Sequence, residues 1–232
     1  MTVVRVLSAG AAKQLVRAIA GEFETRSGAR VDATFDAAGA IRSAFEASPD
    51  SDLVILPDAM LDALASAGRV ERASIAALGN VSTGVAVRDG DVAPQVDDAD
   101  ALRHALGAAS ALYCPDIERS TAGRHFLKVL QALGIAEDAR PKLRAYANGA
   151  TAMAALAREG PSGALGCTQA TEILYTPGVT LVAPLPPPFA LSTRYALAVS
   201  TRATSPDIAR IFAAQLTSPE NAALRRRGGF EI

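Results

Sequence analysis

A two-lobed α/β fold, each lobe a mostly parallel sheet flanked by helices, is what the sequence predicts. Three observations predict it. Short apolar, β-branched runs alternate with segments whose apolar residues recur at helical spacing, the pattern of repeated βα units. The same pattern starts afresh in the second half. The chain has 232 residues, 50% of them hydrophobic, enough for two cores of about 100 residues each.

Val3–Leu7 is β-branched and bounded by Ser-Ala-Gly, so it reads as a buried strand. Ala11–Arg26 carries Leu15, Val16, Ile19, Ala20 and Phe23 on one helical face, and Gly28 stops it. Val31–Phe35 and Asp52–Leu56 follow as strands, with helices over Gly39–Ala47 and Asp58–Ala67, the last ended by Gly68. In the second half the strands are Ala111–Cys114, Leu143–Tyr146, Ala164–Cys167 and Val179–Val182. The helices Ala122–Leu133 and Ala150–Arg158 lie among them. Pro184 to Pro188 reads as a stiff polyproline connection. A strand over Arg194–Ser200 and helices over Pro206–Leu216 and Pro219–Arg226 complete the chain. No low-complexity linker divides it. The periodicity permits a chain that crosses twice between lobes, with residues 1–82 and 195–232 in lobe I and 83–194 in lobe II. The hinges then fall near 82–87 and 191–198.

Composition removes several function classes. A net charge of −1 gives no general drive toward nucleic acid or an anionic membrane, so any anion selectivity must be local. No run approaches the roughly 18 apolar residues of a membrane helix, so no membrane insertion is expected. The start, Met1 to Ser8, lacks a basic region, a long apolar stretch and a cleavage site. As written the chain reads as cytoplasmic, and as periplasmic where a leader has been removed. Cys114 and Cys167 are expected to be free and buried. His104 and His125 are the only histidines, and no cluster has zinc spacing, so neither metal nor cofactor is expected. The chain is read as a monomer.

In parallel α/β sheets, ligands bind beyond the carboxyl ends of strands, where helices begin with unpaired N–H donors and the favourable end of the helix dipole. Four strand-to-helix junctions have the small residues that let backbone approach an anion. They are Ser8-Ala9-Gly10-Ala11-Ala12, Asp36-Ala37-Ala38-Gly39-Ala40, Arg119 to Arg124 and Asn148-Gly149-Ala150-Thr151. Ser8 either donates to a ligand or caps the next helix. Gly10 and Gly39 either permit close approach or serve a tight turn. Ser120, Thr121, Ala122 and Gly123 open a helix well suited to an anion. Arg42 and Arg124 offer forked donors for a carboxylate if they face the ligand rather than solvent. Asn148, Thr151, Thr168 and Gln169 complete the candidates. Glu172 and Tyr175 are the nearby groups able to exchange protons, with a structural role expected for Glu172. Arg225-Arg226-Arg227 reads as a solvated helix end.

The segments "VRVLSAGAAKQLVRAIAGEFETRSGARVDATFDAAGAI", "SDLVILPDAMLDALASAGRV", "GRHFLKVLQALGI" and "GALGCTQATEIL" resemble the molybdate-binding proteins of ABC transporters. Those proteins have the type II periplasmic binding protein fold, and the resemblance runs nearly full length. It implies a solute-binding protein closing on a small anion and serving an ABC permease. The resemblance places the family's two oxyanion-binding serines on Ala11 and on Ala38 or its neighbour Ala37, and a second-lobe tyrosine on Gln169. Alanine has no side-chain donor, and each lost bond to a charged group costs about 1.5–3 kcal/mol. Molybdate is therefore disfavoured, and a carboxylate or another oxyanion is expected. "ERSTAGRHFLKVLQALGI", "TQATEIL" and "PLPPPF" are similar to an offshoot that includes aconitate isomerase. That similarity implies a small polycarboxylate ligand and, as the alternative, a cofactor-free isomerase acting on one.

Overall fold

The computed structural model describes residues 2–48 and 50–232. Met1 and Pro49, both inside the predicted first lobe, lie outside the described residues. In chain order the elements are β1 (Val3–Ala9), α1 (Lys13–Ser27), β2 (Arg30–Asp36), α2 (Ala38–Ala47), β3 (Leu53–Pro57), α3 (Asp58–Ser66), β4 (Ala76–Arg88) and α4 (Ala99–Ala108). Then come β5 (Leu112–Pro115), α5 (Thr121–Ala132), α6 (Ala136–Ala139), β6 (Leu143–Tyr146), α7 (Gly149–Glu159), β7 (Leu165–Gln169), α8 (Ala170–Leu174), β8 (Val179–Pro184), β9 (Ser192–Val199), α9 (Pro206–Thr217) and α10 (Ala222–Arg227). The chain divides into two compact units, Met1–Val81 with Thr193–Ile232, and Ser82–Ser192.

In the first unit β1 lies between β2 and β3, parallel to both, and β9 pairs antiparallel with β3. All five residues of β3 are buried, as a continuous apolar run requires when both sheet faces are covered. β2, at the sheet edge, alternates exposed and partly buried residues. Leu15, Val16, Ile19 and Phe23 form the buried stripe of α1. The Phe23 ring packs on Phe212 of α9 with centroids 4.7 Å apart. Gly28 follows α1 at φ +69°, a left-handed conformation that favours glycine.

The returning segment is fastened by one carboxylate. Asp52 is fully buried. Its Oδ2 accepts the Arg5 N–H at 2.8 Å. Its Oδ1 accepts the N–H groups of Thr204 and Ser205 at 2.7 and 2.9 Å and the Thr204 hydroxyl at 3.0 Å. Ser205 is the residue at which α9 begins.

In the second unit β5 lies between β6 and β7 and parallel to both, while β4 runs antiparallel to β7 and to β8. This sheet is mixed where a mostly parallel one was expected. Adjacent residues of β4 serve opposite faces: Val85 packs with Leu102, Phe126, Leu130 and Cys167, and Ala86 with Met153, Leu156 and Ile173. Two elements are clearer here than in the sequence. β4 is a 13-residue strand, where the sequence suggested only a crossing near Ser82–Val87. Gly79, Asn80 and Gly84 interrupt its β-branched pattern. α4 lies outside the sequence-predicted elements; Asp98 caps it by accepting the Ala101 N–H at 2.8 Å, and Leu102, Ala105 and Leu106 form its buried stripe.

Cys114 and Cys167 are free and buried. Burial, then the Asp116 charge, pushes the Cys114 thiol up to about 12, and burial also raises Cys167 well above the usual thiol range. Both are therefore protonated at pH 8 and poor nucleophiles. Ellman's reagent at pH 8 is expected to leave the native protein unmodified over minutes and to titrate both thiols in guanidinium. Rapid native reaction would show that this core opens.

Candidate functional site

In the first unit the register brings two candidate junctions together. Ala9 pairs with Asp36 across the parallel β1–β2 ladder, so the segments that follow, Gly10-Ala11-Ala12 and Ala37-Ala38-Gly39, leave the same sheet edge side by side. Gly10–Ala12 forms one 3-10 turn before α1. Its N-cap residue is Ala9, and that of α2 is Ala37; neither start receives a side-chain cap. Ser8, offered as a cap for this helix, does not serve as one: its buried hydroxyl donates to the Ala9 carbonyl at 2.9 Å. Gly10 and Gly39 are not at positive φ, so no turn demands glycine there. Asp36 Oδ1 accepts the Ala37 N–H at 2.8 Å and steadies the second junction. Ala11, Ala37 and Ala38 are buried and carry no side-chain donor. Arg42 is half-exposed and pairs with Glu46 at 3.0 Å.

The second unit treats its helix starts differently. The Ser120 hydroxyl accepts the Gly123 N–H at 3.4 Å. Asp116 Oδ1 holds the preceding turn by accepting the N–H groups of Arg119 and Glu118, bonds that favour the charged carboxylate and lower its pKa from the ordinary value. A side chain on Gly123 would run into the carbonyls of Pro115 and Asp116, so this glycine seats α5 on the end of β5. Asn148 Oδ1 accepts both the N–H and the hydroxyl of Thr151, at 3.0 and 2.9 Å. Thr168 donates to Glu172 Oε2 at 2.6 Å. Arg124, exposed, donates to the Glu118 carbonyl at 2.9 Å. Ser120, Asn148, Thr151, Thr168 and Arg124 thus all have partners inside the unit.

Gly149 has a packing reason of its own. Its missing side chain leaves the room that Glu172 Oε2 and Thr168 Oγ1 occupy against the start of α7. Gly149→Ala forces an overpacked, polar contact and is expected to lower stability by about 1–3 kcal/mol in urea unfolding. A change under a few tenths would show that the Glu172 side chain moves aside freely.

Two predicted residues stand apart because they lack such partners. Both amide atoms of Gln169 are buried without a hydrogen bond, and so is the Thr121 hydroxyl. The structure adds Thr83 and Thr171, whose hydroxyls are in the same condition. Neither is among the residues the sequence marks: Thr83 lies in a strand whose alternation is already broken by glycines, and Thr171 lies inside the short helix α8.

The fold is that of the type II periplasmic binding proteins, as the superposition on a periplasmic molybdate-binding protein shows. Residues 4–231 match the family model described as bacterial extracellular solute-binding protein, and the chain belongs to that family. It superposes on the periplasmic molybdate-binding protein of Azotobacter vinelandii with a TM-score of 0.79 at 14% identity, covering 99% of each chain. The sulfate-binding protein SubI of Mycobacterium tuberculosis H37Rv gives 0.75 at 17% identity, over 99% of this chain and 86% of the other. The aconitate isomerase of a Pseudomonas species is 25% identical over 228 residues, 96% of this chain and 85% of that one. Among the described residues, no helix is long and apolar enough to cross a membrane.

Proposed function

We propose that the chain binds a small anion, a carboxylate before molybdate, at its carboxyl-edge helix starts and delivers it to an ABC permease. It does so as a monomer, outside the cytoplasmic membrane, the periplasmic branch of the sequence expectation. The observation that supports this reading is the pair of alanine N-caps, Ala9 and Ala37. Alanine at an N-cap forgoes about 0.5–2 kcal/mol relative to Ser, Thr, Asn or Asp. Two adjacent helix starts whose N-cap residues supply no side-chain acceptor leave first-turn donors for an anion from outside, at the positive end of each dipole. The absent hydroxyls at Ala11, Ala37 and Ala38 weigh against molybdate.

The test is a melting-temperature series with citrate, L-malate, succinate, sulfate and molybdate. A ligand at about 100 times its dissociation constant adds roughly 2.7 kcal/mol of stability. Carboxylates are expected to raise the melting temperature more than molybdate does. A large shift with molybdate alone would contradict the reading.

A second reading is favoured by the aconitate isomerase relative. Here the same site moves a proton and a double bond in an unsaturated tricarboxylate. Incubation with cis- or trans-aconitate, followed by ultraviolet absorbance, decides it: interconversion supports catalysis, and an unchanged spectrum at high protein concentration removes that substrate.

A further inference from the structure

We propose that a pocket of the first unit, separate from its helix starts, is a second anion site, where Arg225 holds a carboxylate or phosphate group through two parallel N–H bonds. All of its walls belong to that one unit. The pocket has a volume of about 320 Å³ and is lined by residues 77–80 at the start of β4, Arg194 of β9, Arg225 of α10 and residues 231–232. These walls are fastened to one another. Asn80 and Glu231 exchange backbone hydrogen bonds, both at 2.8 Å, and the Phe230 N–H donates to the Arg225 carbonyl at 3.0 Å. A side chain on Gly79 would run into the Ile232 side chain and the Glu231 carbonyl.

Arg225 is not the solvated helix end that the run Arg225-Arg226-Arg227 suggests in the sequence. It is 6% exposed. Its Nη1 donates to the Leu216 and Ser218 carbonyls at 2.9 and 3.1 Å, which caps the end of α9. Its Nε is buried without a partner. Burial, then the Arg226 charge, lowers the guanidinium from its ordinary pKa, the direction expected of a cation that lacks a counter-charge. Buried charges are ordinarily paired, and a buried donor left unpaired is costly. Capping α9 uses Nη1 alone. The Nε–Nη2 edge remains, two parallel donors that match the two oxygens of a carboxylate or phosphate. Arg194, exposed and 3.5 Å from Asp58, brings a second guanidinium to the same pocket, and Asn80 an exposed amide. The carboxylates of Asp58 and Glu231 offset part of this positive charge, so the site suits one anionic group rather than a polyanion.

The test is the arginine Nε–Hε spectrum of the full 15N-labelled chain, titrated with acetate or inorganic phosphate at constant ionic strength, with chloride as the balancing salt. The Arg225 signal is assigned by through-bond correlation to its own backbone amide. A saturable shift of that signal is expected, and the anion that produces it tells a carboxylate from a phosphate occupant. Arg225→Lys keeps the charge and loses the fork. In the folded variant the anion is expected to bind about tenfold or more weakly, read from the Asn80 and Glu231 backbone amides. Gly39→Asp, at the start of α2, is expected to leave the Arg225 shift unchanged, so failure of this site and failure of the helix-start reading are told apart. An Arg225 signal that neither anion moves, or that chloride moves equally, overturns the proposal whether or not the lysine variant folds. Undiminished binding in folded Arg225→Lys also overturns it.

Discussion

Replacing Asp52 by Ala is expected to cost about 3–5 kcal/mol of stability, since each buried donor left without an acceptor costs about 1–3 kcal/mol. Asp52 is fully buried, and its carboxylate collects four hydrogen bonds from Arg5, Thr204 and Ser205. Three of those donors are backbone N–H groups that cannot turn away to find water. The backbone of the same residue donates its N–H to the Arg5 carbonyl and accepts the Ser200 N–H at its own carbonyl. The substitution thus loosens the strand-to-helix return of the first unit at the start of α9. A domain commonly has only 5–15 kcal/mol in hand, so the urea midpoint should fall steeply. Asp52→Asn keeps an acceptor for Thr204 and Ser205 but turns a donor toward the Arg5 N–H, and should cost roughly half as much. An Asp52→Ala loss under about 1 kcal/mol would show that water replaces the carboxylate, contrary to this account.

The second large effect separates folding from binding. Gly39→Asp places a carboxylate in the first turn of α2, a start without a side-chain cap. A negative charge there favours the helix by about 0.3–1 kcal/mol, and Gly39, in αR-type backbone without positive φ, gives up no special conformation. The ligand-free protein is expected to be as stable as wild type or slightly more so. An anion held about 5 Å away meets the new charge at roughly 3 kcal/mol for an effective dielectric near 20. Affinity for a carboxylate should therefore fall by about two orders of magnitude. Calorimetry and urea unfolding on the same preparation check both halves. Undiminished affinity in a folded variant would place the anion elsewhere.

The architecture was legible wherever a buried strand or an amphipathic helix carried an uninterrupted pattern. β3 reads as five consecutive apolar residues, and Gly28 and Gly68 mark the ends of α1 and α3 as the left-handed positions they occupy. β4 was harder to read because glycines and polar residues break its alternation, and α4 because its N-terminus follows a run of acidic and turn-forming residues. The junctions themselves were legible from small residues after strands. What their side chains do was not. Asn148 and Ser120 look in sequence like ligand donors and are helix caps. Gly123 and Gly149 look like openings for a ligand and are filled by carbonyls or a carboxylate of the same unit. Thr83 gave no sequence signal strong enough to single it out, because its condition depends on which partners the strand pairing withholds.

The most direct measurement is the amide spectrum of 15N-labelled protein during titration with L-malate. Saturable downfield shifts of the Gly10 and Gly39 amide protons are expected, as those N–H groups begin donating to the anion, and the Gly10 shift is expected to be absent in Gly39→Asp at the same malate concentration. Saturable binding that leaves both glycine amides unmoved would contradict anion binding at the helix starts.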